Sequence, residues 1–261
     1  MDARNTKSGA RYGMVVDLDK CNGCGACAVA CAVENNVPPA AERATERNGI
    51  TWMRVHRIEA PGEARAAFVP LMCQQCGEKT PCASVCPQNA VEVDPASGIV
   101  AQVPVRCLGC RYCMAACPYH ARSFNWWDPE WPGRLTETLN PEVSTRTRGV
   151  VEKCGFCFHR YQLATDKAYL EGRRELDEGE YQTACTQACP AGAILFGDLN
   201  NPAHAVHKIA QPDPAREGKS RNPKAFRLLE RLGTNPKIYY LSSREWVRNA
   251  GDTKVRKSEK A

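Results

Sequence analysis

Cys107-Leu108-Gly109-Cys110-Arg111-Tyr112-Cys113-Met114-Ala115-Ala116-Cys117-Pro118 is the stretch on which the fold turns. Four thiols follow one another at gaps of two, two and three residues, and a proline closes the run. Gaps of two force a tight loop, in which three thiolates converge on three corners of one small polyhedron. Gly109 suits that loop, because glycine tolerates positive φ and lets backbone N–H groups approach the sulfurs. The fourth cysteine is positioned to start a short helix, and Pro118, with its fixed φ, directs the chain away.

The same figure recurs three times. Cys21, Cys24, Cys27 and Cys31 repeat the gaps, with Gly23 and Gly25 in the loop and Ala32 where the proline stood. Cys73, Cys76, Cys82 and Cys86-Pro87 keep the same head and tail around a longer loop, as do Cys154, Cys157, Cys185 and Cys189-Pro190. The two complete motifs have the bacterial ferredoxin spacing, in which three thiolates hold one [4Fe–4S] cluster and the fourth reaches the other cluster of a pair. A disulfide framework suits a small secreted chain, not 261 residues with so regular a CxxC repeat. Paired CxxC also builds zinc ribbons, a fair reading of the fourth group alone and a poor one beside two complete motifs. All 16 cysteines are thereby used, and the expectation is four [4Fe–4S] clusters. A corner open to solvent or oxidant can lose iron and be found as [3Fe–4S].

Composition agrees that metal ties the chain together. Hydrophobic residues make up 43% but aromatics only 7%, and mean hydropathy is -0.47, a thin core for this length. No run approaches the ~18 apolar residues of a membrane span. The opening Met1-Asp2-Ala3-Arg4-Asn5-Thr6-Lys7 has no apolar signal region, so the expectation is a chain that alone neither crosses a membrane nor exports itself. The formal charge of +6 suggests nucleic acid at first sight. Ligating thiols are deprotonated, however, and with about −2 on each oxidised cluster the assembled chain comes to about −2. With no basic stripe interleaved with aromatics, nucleic acid is excluded as a partner.

Residues 12–18 and 66–72, apolar or β-branched runs that end at cysteine loops, read as strands. Residues 91–94 and 99–103 flank the turn Pro95-Ala96-Ser97-Gly98 and read as a hairpin, with 193–197 as its shorter counterpart. Residues 202–210 and 223–232 read as helices, and the charged 251–261 as a frayed end. Trp126, Trp127 and Trp131 share one proline-rich stretch. Aromatics in irregular structure mark a partner contact, or else they cover the inner clusters as core. His204 and His207 read as a solvated helix face, and His120, soon after Cys117, as a candidate for approaching a cluster. No GxGxxG, Walker loop, nucleophile elbow or HExxH is present, so nucleotide, flavin, nicotinamide and hydrolytic chemistry have no seat and no catalytic residue is expected.

On these cysteine motifs the chain resembles, over nearly its whole length, the four-cluster ferredoxin-like subunits of membrane-associated molybdopterin-type oxidoreductases. Asn140-Pro141-Glu142-Val143, Thr183-Ala184-Cys185-Thr186-Gln187-Ala188-Cys189-Pro190, Phe196-Gly197-Asp198-Leu199-Asn200 and Leu232-Gly233-Thr234-Asn235-Pro236 narrow the resemblance. They are similar to stretches in the menaquinone reductase branch of sulfate reducers and the matching part of alternative complex III. The resemblance implies an α+β fold of two nested ferredoxin-like two-cluster modules, made of β-hairpins and short helices. An outer module spans 10–60 and 150–200, an inner module 61–125, a partner-contact insertion 126–149 and a helical extension 201–261.

The family's ligand pairing then implies Cys21, Cys24, Cys27 and Cys189 at cluster one, and Cys73, Cys76, Cys82 and Cys117 at cluster two. Cluster three takes Cys107, Cys110, Cys113 and Cys86; cluster four takes Cys154, Cys157, Cys185 and Cys31. The implied spatial order is one, four, two, three. Cluster one then faces a large molybdopterin-oxidoreductase-like subunit, and cluster three a multi-span membrane subunit that binds quinone. A multihaem cytochrome c completes the implied partners. The implied function is non-catalytic electron relay toward menaquinone, at the periplasmic face, reached by co-export with a twin-arginine partner; the cytoplasmic face is the alternative. Arg106, Arg111 and Arg122 lie near the cluster-three cysteines in sequence, and positive charge there raises a cluster's potential. Two other functions share the motifs: the matching subunit of a polysulfide, thiosulfate or sulfite enzyme, and a free polyferredoxin.

Overall fold

The computed structural model describes residues 9–41, 44–45, 49–215 and 220–251; the charged end 252–261 lies outside them. The elements run β1 (Tyr12–Asp17), α1 (Ala26–Glu34), β2 (Met53–Ile58), β3 (Ala67–Met72), α2 (Pro81–Ser84), β4 (Val91–Val93), β5 (Val100–Gln102), α3 (Tyr112–Ala115) and β6 (Ser123–Phe124). After the insertion come β7 (Val151–Glu152), α4 (Phe158–Leu170), α5 (Ala184–Gln187), β8 (Ile194–Asp198), α6 (Ala205–Ala210), β9 (Ala225–Phe226), β10 (Ile238–Leu241) and α7 (Glu245–Ala250). The architecture is α+β, with short helices and small sheets.

The apolar run of β1 is buried along nearly its whole length because it is an inner strand. It pairs antiparallel with β8, Val16 opposite Ile194, and parallel with β10, Met14 opposite Ile238. The resulting sheet has the order β8-β1-β10-β9. Through β8 the chain beyond the fourth cysteine group returns to the strand that leads into the first group, and α1 packs on α5 in the same sense. Between them β3 leads into Cys73, paired with β2 from Met53↔Met72 to Ile58↔Ala67. The hairpin β4–β5 forms where the turn sequence calls for it, Val91 opposite Gln102, and α2 packs on α3. β6 and β7 pair at the base of the tryptophan insertion. The insertion is also fastened to the end of α1: Asn36 donates to Asn140 O at 2.9 Å and accepts from Asn140 N at 2.8 Å.

The main apolar cluster joins Met14, Val16, Ile194, Phe196, Ile238 and Tyr240 to Cys27, Cys31, Cys73, Cys154 and Cys185. Thiols thus occupy core positions. This is the structural counterpart of the low aromatic content.

Several local expectations need correction. Residues 193–197 do not form a hairpin of their own but add β8 to β1. Residues 223–232 are not a helix: Phe226 and Ala225 pair with Tyr240 and Leu241, and Leu229 takes a left-handed φ of 51 before a single 3-10 turn, Glu230–Leu232. The backbone groups there are claimed by the sheet edge. The extension beyond residue 200 is accordingly mixed, with two strands besides α6 and α7. The short helices also begin earlier than the cysteine spacing suggests; α2, α3 and α5 carry Cys82, Cys113 and Cys185 and end before the last cysteine of each group. His204 is not solvated: it is 3% exposed, and its Nδ1 accepts the Asp198 N–H at 3.0 Å.

Candidate iron–sulfur centres

Loop geometry sets the thiols. Gly23, Gly25 and Gly109 have φ of 77, 79 and 72, the left-handed region where a side chain is strained. At Gly109 a Cβ would also lie 2.3 Å from Gly149 O. Cys21, Cys24, Cys27 and Cys189 line one cavity; Cys73, Cys76, Cys82 and Cys117 a second; Cys86, Cys107, Cys110 and Cys113 a third. Each of the three cavities is framed by four thiols. Cys31 is gathered with Cys154, Cys185 and Cys157, whose charges all act on its thiol. Between these sets the succession is continuous. Cys27 acts on Cys31 and Cys185, Cys73 acts on Cys154, and Cys82 acts on Cys113.

The sulfurs are met by N–H donors. Ala90 N donates to Cys86 Sγ at 3.2 Å and Ala193 N to Cys189 Sγ at 3.3 Å. Each donor lies four residues after the cysteine of a Cys-Pro pair, and Ala121 N stands in the same relation to Cys117. Cys31 lacks the proline, so α1 runs on for nine residues instead of four. The donor is then a side chain. Asn35, also four residues on, reaches Cys31 Sγ at 3.8 Å and Cys157 Sγ at 3.7 Å. Spacing reads the cysteines but not Asn35; the missing proline was the available signal.

The donor sets fit a polynuclear metal cluster. Zinc requires four sulfurs within about 2.3 Å of one point, whereas the thiols here frame cavities, and among the described residues no group is set to hold a single metal ion. Burial, followed by neighbouring thiolates, pushes Cys27 up to about 11 and Cys76 up to about 12. Burial likewise pushes Cys31 and Cys154 well up. Such crowded anions need a cationic core, whose binding would release the thiol protons. Arg122 supplies a further sign: it is 6% exposed, lines the second cavity, and its Nη2 has no hydrogen-bond partner. Burial opposes its charge but is outweighed by Cys82, Cys113 and Cys73. Arg122 therefore stands between the second and third sets.

The other arginines are unlike it. Arg111 is exposed and lies over the rings of Phe124 and Trp126 at 5.2 and 4.9 Å, on the rim of the third cavity. Arg106 is held away at the surface by Glu92, 3.0 Å distant. Its sequence proximity to Cys107 does not become charge at the thiols. Trp126 is 37% exposed, Trp131 half-buried, and Trp127 lines a surface hollow with Pro38, Pro39 and Ile50. His120 is exposed, with a φ of 50.

Comparison with known proteins points to iron–sulfur chemistry as well. Residues 64–131 match the 4Fe-4S dicluster domain family, and residues 12–33 the 4Fe-4S binding domain family. The chain is 53% identical to the iron–sulfur cluster-binding subunit of menaquinone reductase from Nitratidesulfovibrio vulgaris, over 93% of this chain and 92% of that one. It is 36% identical to the Hdr-like menaquinol oxidoreductase iron–sulfur subunit 1 of Archaeoglobus fulgidus, covering 88% and 82% of the two chains. Protein NrfC of Escherichia coli is 33% identical, covering 89% and 81%.

Proposed function

This chain belongs to the family of ferredoxin-like iron–sulfur subunits that includes the menaquinone reductase cluster-binding subunit, and from that premise we propose that it is the electron-relay subunit of a menaquinone reductase. Four [4Fe–4S] clusters, when bound, supply one-electron redox centres at intervals along the chain. The observation that carries the reading is the unbroken succession of thiol sets from Cys24 to Cys110.

The ligand sets are those framed by the cavities: Cys21, Cys24, Cys27 and Cys189 for cluster one, Cys73, Cys76, Cys82 and Cys117 for cluster two, Cys107, Cys110, Cys113 and Cys86 for cluster three. Cys154, Cys157, Cys185 and Cys31 take cluster four. The chain's own work is to hold, insulate and tune. Backbone N–H groups and Asn35 bind the thiolate sulfurs, Arg122 biases clusters two and three toward reduction, and β1, β8 and β10 exclude water from the middle of the row. Bond-making chemistry and the quinone belong to partner subunits: a large molybdopterin-oxidoreductase-like chain, a quinone-binding membrane chain and a multihaem cytochrome c. Trp126, Trp127 and Trp131 are offered as partner contacts.

No helix among the described residues is long and apolar enough to cross a membrane, and the proposed location is peripheral, on the periplasmic face, reached by co-export. Anaerobic purification of the native complex tests the reading. About sixteen iron atoms per chain and a co-purified quinone-binding membrane subunit are expected; a chain isolated alone and without iron would overturn it. Protease added to intact spheroplasts should digest the subunit, and protection until lysis would move it to the other face.

A further inference from the structure

Two lysines are buried in the seam between the second and fourth thiol sets. Lys153 is 2% and Lys237 1% exposed. Lys153 Nζ donates to Val100 O and, at 3.0 Å, to Cys154 O; Lys237 Nζ donates to Gly98 O. These partners are backbone carbonyls, and neither lysine meets a carboxylate among the described residues. An ammonium taken out of water without a counter-charge is strongly unfavourable. Burial, then Arg11 and Lys153, push the Lys237 ammonium down to about 8, while the thiolates of Cys73 and Cys76 act in the opposite sense. The seam thus gathers cations, and the anions facing it are cluster ligands.

Lys237 is carried there by the C-terminal extension, a stretch to which electron relay assigns no part. Lys237 N donates to Gln74 O at 3.0 Å, and Lys237 O accepts from Met14 N at 3.0 Å. Gly77 N donates to Thr234 O and Asn235 O at 3.1 and 2.9 Å. Residues 234–238 therefore clamp the loop that bears Cys73 and Cys76, and the buried Lys237 side chain ends on Gly98 O.

We propose that Lys237 and Lys153 are built-in counter-cations for the second and fourth thiol sets, which raise the potentials of the two clusters bound there. The proposal rests on the relay reading above. A cation beside a cluster stabilises its more negative reduced form, and two cations in one shared seam bias both neighbours together. Lys237 is a positioning and tuning residue; it takes no part in bond making.

The test is redox titration of the intact complex, followed by EPR, for Lys237→Gln, Lys237→Arg and Lys153→Gln. Glutamine removes the charge but can still donate to Gly98 O. For Lys237→Gln with full iron content, the expected result is a fall of about tenfold in the reduced-to-oxidised ratio of one cluster at fixed ambient potential, equivalent to about 59 mV for one electron. Lys237→Arg should stay within about threefold of wild type on that scale. Iron loss in Lys237→Gln that Lys237→Arg restores also supports a counter-cation. Unchanged ratios in both glutamine variants, or equal iron loss in Lys237→Gln and Lys237→Arg, would overturn the proposal. Failure of the relay reading is distinguishable, because the wild-type complex itself would then lack four EPR-active clusters.

Discussion

Replacing Arg122 by glutamine removes a guanidinium buried between the second and third thiol sets, whose charge acts on Cys82, Cys113 and Cys73. Taking roughly 6 Å to a cluster centre and an effective dielectric of about 20, one unit charge favours one-electron reduction by about 2.8 kcal/mol. At about 1.4 kcal/mol and 59 mV per tenfold, that is about 120 mV. Water entering beside glutamine screens the neighbouring charges, so the expected fall is about 50–120 mV for the nearer cluster and less for the other. The assay is potentiometric EPR on the intact complex, with iron measured on the same sample. Arg122→Lys should recover most of the potential, and Arg106→Gln, whose parent is paired with Glu92 at the surface, should leave every midpoint in place. An iron-replete Arg122→Gln with all midpoints within about 20 mV of wild type would refute the electrostatic assignment.

Cys110→Ala should convert one cluster to [3Fe–4S], giving an oxidised EPR signal near g of about 2 that anaerobic wild type lacks; a signal of equal strength in both would mean the ligand set is wrong. Asn35→Leu should lower the potential of the cluster proposed for Cys31 and Cys157, because its amide meets both sulfurs; iron-replete protein with every midpoint unmoved would dismiss the amide's role. Removing iron by chelation under reducing conditions should abolish cooperative melting of this subunit, since Cys27, Cys31, Cys73, Cys154 and Cys185 are part of its main core. A sharp transition in the iron-free chain would show that the apolar core suffices.

The candidate site was legible in the cysteine spacing, because a cube corner demands a thiolate at a fixed reach and such a demand is written in the chain as regular gaps. Strands leading into the loops were legible for the same reason: β1 and β3 are apolar runs whose ends must deliver a cysteine. What escaped were features decided by pairing at long range. β10 lies 220 residues or more from β1, as with Met14↔Ile238, and nothing local to 238–241 states that its neighbour is the N-terminal strand. The helical reading of 223–232 failed for that reason, since the sheet edge took the backbone groups of Phe226 and Ala225. Arg106 and Arg122 looked alike by distance along the chain. Their difference is three-dimensional: one meets Glu92 in solvent, and the other loses solvent among thiols. His204 misled in the same way, a polar residue in a helical pattern whose ring is needed to accept the Asp198 N–H at 3.0 Å.

The four loops differ in what covers them. The second cysteine of each group occupies an equivalent place, yet Cys24 and Cys110 are exposed while Cys76 and Cys157 are buried. The difference comes from covering segments. Over the Cys76 loop, residues 234–238 accept the Gly77 N–H and bring Thr234 to the thiol. Over Cys157 lies Asn35, at the end of an α1 that no proline cuts short. With the covers present, solvent reaches the row of thiol sets at Cys24 and Cys110 and is held off Cys31, Cys73, Cys154 and Cys185 between them. Such a distribution favours a relay with two defined ends over a free polyferredoxin.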